Sequence, residues 1–102
     1  MVVLKDITAE ERGKKVKRRE ISSLVRESFP LMSGFLISGS LEGHCGIYSL
    51  SQWKDILEVD FTSPESPRLT LRDPYSYSRA DSLAQKIEKK GAKVSLILDY
   101  SR

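Results

Sequence analysis

The 102 residues hold one cysteine, Cys45, and one histidine, His44. A lone cysteine cannot close an internal disulfide, so the core alone must hold the fold, and a reducing, cytoplasmic location is the expectation. One His and one Cys also fall short of the about four ligands of a structural zinc site. No metal and no cofactor is therefore expected. Long apolar runs are missing: Phe35-Leu36-Ile37 is typical, and a membrane-spanning helix needs roughly 20 such residues. No membrane span is expected. Met1-Val2-Val3-Leu4 precedes the first charges, the reverse of the order in a secretory signal. None of G-x-G-x-x-G, the P-loop, H-E-x-x-H or G-x-S-x-G is present, so no motif names a reaction.

What the chain does have is local positive charge. Six of its 17 Lys and Arg residues fall between Arg12 and Arg19, as Arg12, Lys14, Lys15, Lys17, Arg18 and Arg19, with no acid among them. The other 94 residues carry eleven basic and fourteen acidic side chains, so the net charge of +3 comes entirely from this block. A cationic block on an otherwise acidic chain suggests an anionic partner.

Hydrophobic residues at 39% and charged residues at 30% suit one small globular domain spanning 1–102. Thr8-Ala9-Glu10-Glu11 has capping-box spacing, and Pro30 restricts Phe29 to extended geometry, which predicts a helix over 9–28. Ile21, Leu24, Val25 and Phe29 define its core side. Arg12, Lys15, Arg19 and Arg26, with Ser22 and Ser23 between them, form its outer stripe. Lys14, Lys17 and Arg18 continue the core line, where lysines do not belong, so the basic segment 9–20 is expected to overhang the sheet or fray. Val2 to Ile7 reads as a short leading strand.

From Leu31 to Arg72 the period changes to two. Strands are predicted at 31–38 and 44–50, a helical turn at 51–55, and a hairpin in which Phe61 faces Leu69, Val59 faces Leu71 and Glu58 lies opposite Arg72. Ser78 then caps a helix carrying Ala80, Leu83, Ala84 and Ile87 on one side, with Gly91 at its C′ position. Val94, Leu96 and Leu98 alternate along a last strand. The order β-α-β-β-β-β-α-β predicts an α+β two-layer sandwich, a mostly antiparallel sheet of five or six strands with both helices on one face.

Each candidate site has a structural competitor. Glu10 and Glu11 stand four residues before Lys14 and Lys15 and can stabilise a solvated helix, whereas Lys17-Arg18-Arg19 has only Glu20 beside it. Tyr75 and Tyr77, bracketed by Arg72 and Arg79, suit stacking on unpaired bases, or simply cover the end of the sandwich. Trp53 and Tyr48 are read as core rim. His44 and Cys45 are neighbours on a strand and point to opposite faces, which argues against a dyad, and the surrounding Gly43 and Gly46 read as a close turn that requires glycine. Glu58 and Asp60 lie on the solvent face, with Arg72 available to Glu58.

Three functional readings follow. The first is a non-catalytic domain binding DNA, RNA or another polyanion through Arg12, Lys15, Lys17, Arg18, Arg19 and Arg26, with Tyr75 and Tyr77 adding stacking. The alternative is a protein-interaction module or homo-oligomeric adaptor that recruits a partner or a second copy by strand addition at an open edge. The third, with no motif behind it, is a small enzyme using His44 or Cys45.

Overall fold

The two-residue alternation becomes a meander. In the computed structural model, which describes residues 16–100, β1 (Phe35–Ser40), β2 (His44–Ser49), β3 (Lys54–Asp60) and β4 (Arg68–Leu71) pair antiparallel in chain order. Short loops permit only that sense; the last connection is long enough for a helix and reverses it. After α2 (Tyr77–Lys89), β5 (Ser95–Leu98) returns parallel to β4, giving the sheet order β1-β2-β3-β4-β5. α2 and α1 (Arg18–Ser28) pack together over one face. This is the expected α+β sandwich, with five strands. The leading strand at Val2 to Ile7 and the capping box at Thr8 lie outside the described residues.

Pleating sorts the side chains. Cys45 and Ile47 of β2, Leu57 and Val59 of β3, Phe61, and Leu69 and Leu71 of β4 are buried against Ile21, Val25 and Phe29 of the first helix region and Ala80, Leu83 and Ile87 of α2. His44, Tyr48, Glu58, Asp60, Arg68 and Thr70 take the alternate positions and form the open face.

The hairpin register differs from the expected one by two residues: Val59 faces Leu69 and Leu57 faces Leu71. A slip of two leaves every side chain on its own face, so alternation cannot distinguish the two registers. The loop decides. The ladder ends with Asp60 opposite Arg68, and residues 61–67 close the turn, with the Ser66 N–H donating to the Ser63 carbonyl at 2.9 Å.

The described part of the helix predicted over 9–28 begins only at Arg18. Lys17 is its N-cap, extended at φ −102 and ψ 149, and its N–H donates to Glu20 Oε1 at 2.9 Å, one half of a capping box. Val16 before it is 4% exposed and reaches toward Gly91. Val16 and Lys17 are not helical, so α1 begins with Arg18, whose side chain turns to the Thr62 carbonyl instead of entering the core. At its other end α1 stops at Phe29, as Pro30 requires.

Three local expectations are corrected. Residues 31–33 form a 3-10 turn and β1 starts later, at Phe35. Residues 51–53 turn and β3 already begins at Lys54, with Trp53 in left-handed geometry at φ 54 and 79% exposed, so it is no core rim. Gly43 and Gly46 both have non-positive φ and leave ordinary room for a Cβ; among the described residues the glycines with positive φ are Gly34, Gly39 and Gly91, the last following Lys90 at the end of α2 as expected.

Candidate polyanion-binding groove

α1 places Arg18, Arg19, Ser22, Ser23 and Arg26 on successive turns, where they meet Ser40, Leu41 and Glu42 from the β1–β2 turn along an open groove of about 680 Å³. Three arginines face one glutamate. Arg18 is anchored: its Nε and Nη2 donate to the Thr62 carbonyl at 3.1 and 2.6 Å. That acceptor is neutral, so the guanidinium charge is oriented without being cancelled. Arg19 and Arg26 are exposed and form no ion pair among the described residues. Ser22 departs from the expected outer stripe. It is 7% exposed and its Oγ donates to the Leu41 carbonyl, tying α1 to the turn. Arg12, Lys14 and Lys15 lie outside the described residues. The contribution of residues 40–42 had no signal in the sequence, because the turn is about twenty positions from α1 and only the fold brings them together.

Tyr75 and Tyr77 stand elsewhere. Tyr75 is 93% exposed on the 3-10 turn ahead of α2 and lines a second groove with Glu27, Ser28, Phe35, Arg79 and Lys86. That groove lies at the C-terminal end of α1, whereas Arg18 and Arg19 are at its N-terminus. Tyr75 and the α1 arginines thus line separate grooves, and Tyr77 lines neither. Tyr75 therefore does not cover the sandwich, whereas Tyr77, at 43% exposed, is more than half covered. The bracketing arginines are both engaged. Arg79 Nη1 donates to the Ser28 carbonyl at 2.8 Å, and its guanidinium stands 5.0 Å from the Phe35 ring centroid and 5.9 Å from that of Phe29. Arg72 belongs to the open face of the sheet.

On that face His44 Nε2 lies 2.8 Å from Glu58 Oε2, Arg72 Nη1 3.0 Å from Glu58 Oε1, and Arg72 Nε 3.7 Å from Asp99 Oδ2. Glu58 has the partner assigned to it, although Thr70 and not Arg72 is its ladder neighbour. Asp60 is held below the usual carboxylate range, first by the backbone N–H of Thr62 and then by its hydroxyl. Two solvent-side carboxylates that already have partners make a solvated charge network rather than an acid and base poised on a substrate.

Cys45 points the other way, into the core, where burial raises its thiol to about 11. With only about one molecule in a thousand ionised at pH 8, it is no nucleophile. Native protein should therefore fail to react with a disulfide reagent at pH 8 on the timescale on which urea-unfolded protein reacts completely; fast labelling of native chains would contradict the burial. Since the folded thiol titrates above its unfolded value of 9.0, its contribution to stability is full below that pH and declines as pH rises towards about 11.

No cluster of three or more His, Cys, Asp or Glu residues suited to a metal ion occurs among the described residues. No helix among them is long and apolar enough to cross a membrane. No family model, no curated protein and no solved structure matches the chain.

Proposed function

We propose that the protein binds nucleic acid or another polyanion, non-catalytically, along the outer side of α1. The observation that carries this reading is the pair Arg19 and Arg26, exposed, without carboxylate partners among the described residues, and set with the oriented Arg18 in an open groove. Serine hydroxyls at 23 and 40 add donors of the kind that position phosphates. Lys17 and, from the sequence, Arg12 and Lys15 add to the positive charge, which makes six cations in all. A cytoplasmic setting accords with this reading, since it keeps Cys45 reduced and offers RNA and DNA as partners.

A salt series tests it. If six cations neutralise duplex phosphates, log K falls against log salt with a slope of about −5, and for a single strand about −4. Arg19→Gln with Arg26→Gln should make that slope shallower by about 2 on duplex, with the fold intact because both residues are exposed. Arg18 is a poor choice for the same test, since losing its bonds to Thr62 would disturb α1. Absence of binding to DNA and RNA at low salt, or a slope unchanged in the double variant, refutes the proposal.

A further inference from the structure

Among the described residues β5 is an edge strand, and its sequence context is unusual for one. Lys93-Val94-Ser95-Leu96-Ile97-Leu98-Asp99 carries a cation at one end, an anion at the other and no charge, proline or glycine between them. Exposed edges are ordinarily defended by such residues, by bulges or by brevity; of these devices β5, four residues long, has only the last. The other edge, β1, is interrupted by Gly39 at φ 98, and its end is tied to α1 through Ser22.

The backbone register states which groups the edge offers. Lys93, Ser95 and Asp99 send their N–H groups inward, to Glu65, Pro67 and Leu71. By alternation, Leu96 and Leu98 send their N–H and carbonyl groups outward. Leu96 and Leu98 pair with Leu69 and Leu71, so their side chains continue the core face at its rim, where Leu98 is 50% exposed.

We infer that this edge pairs with β5 of a second copy, antiparallel and centred on Leu96. In that register Leu96 faces Leu96 and Val94 faces Leu98 of the second copy, extending the core across a continuous ten-stranded sheet. On the open face Ser95 lies opposite Ile97, and each Lys93 lies opposite Asp99 of the second copy, beside the Arg72 that Asp99 already neighbours. The charge at each end of the segment meets its complement, and an isologous two-fold contact uses both pairs at once. Moving the centre to Ile97 would take Lys93 and Asp99 out of opposition. This complementarity selects a second copy rather than an unrelated strand. It concerns the edge far from the α1 groove, so either proposal can fail alone.

Sedimentation of the full chain across a concentration series should show a reversible monomer–dimer equilibrium. Leu98→Lys should sediment as a monomer with an unchanged circular dichroism spectrum. Lys93→Glu, an exposed change, should weaken dimerisation by about tenfold, since two cross-strand pairs turn repulsive. Cross-linking reads the register. Ser95 and Ile97 of the second copy form a non-hydrogen-bonded pair with Cα atoms about 4.5 Å apart, within disulfide reach. A mixture of Ser95→Cys and Ile97→Cys chains should give an intermolecular disulfide on mild oxidation, and neither chain should do so alone. A wild-type chain that stays monomeric at every accessible concentration overturns the inference, as does cross-linking of Ile97→Cys with itself in preference to the mixture.

Discussion

Phe29→Ala should lower unfolding stability by about 3–5 kcal/mol, the range for truncating a buried aromatic, out of the about 5–15 kcal/mol that a domain possesses. Phe29 is fully buried between the end of α1 and the sheet. Its ring meets that of Phe35 edge-on, with centroids 5.1 Å apart, and Arg79 lies over both rings. Removing the ring opens a cavity, deletes the aromatic pair and leaves the Arg79 guanidinium with one ring fewer. Because Arg79 is also bonded to the Ser28 carbonyl, the loss should loosen the α1–α2 contact. Urea denaturation measures the effect. A cost below about 1 kcal/mol would mean that Phe29 does not join these elements. In a double-mutant cycle, Arg79→Ala should cost less in the Phe29→Ala background than in the wild type, because part of its interaction is already gone.

Gly39→Ala is expected to cost about 2–5 kcal/mol, the sum of a left-handed backbone penalty and a local clash. Gly39 sits at φ 98 within β1, and a Cβ there would lie 2.9 Å from the His44 carbonyl oxygen and 3.2 Å from Cys45 Cα. Both atoms belong to the backbone of the paired strand. They can yield only by opening the β1–β2 ladder, which also supports one wall of the α1 groove. Gly34→Ala is the control: at φ 94 it pays a backbone penalty of about 1–2 kcal/mol, but a Cβ there meets nothing within 4 Å. Equal losses at the two positions would show that the close approach at Gly39 is relieved without cost.

Much of the fold was legible because hydrophobic period reports burial directly. Alternation at Leu57-Val59 and Leu69-Leu71, and helical spacing at Ala80, Leu83, Ala84 and Ile87, identified buried faces that the structure retains. The same reasoning put His44 and Cys45 on opposite faces, and the structure makes Cys45 the inward one. That reasoning could not determine the β3–β4 register, since both candidate registers bury the same side chains. Nor could it locate the start of α1. Thr8 to Glu11 is a good local cap, but Lys17 is extended and Val16 before it is buried close to Gly91, seventy-five positions away.

The candidate site divides in the same way. Its charge was visible as a run of letters between Arg12 and Arg19, and Arg19 and Arg26 were placed on the outer side by helical spacing alone. Which charges are restrained was not visible. Arg18 is fixed by a carbonyl forty-four residues away, Ser22 is turned inward by Leu41, and Tyr75 is set at the opposite end of α1. Composition and spacing therefore settled the class of fold, the buried faces and the sign of the charge, because each depends on a side chain's own chemistry and its near neighbours. The strand register, the helix start and the membership of the groove were decided by tertiary structure, because each rests on backbone groups and packing partners that only chain closure brings within a few ångströms.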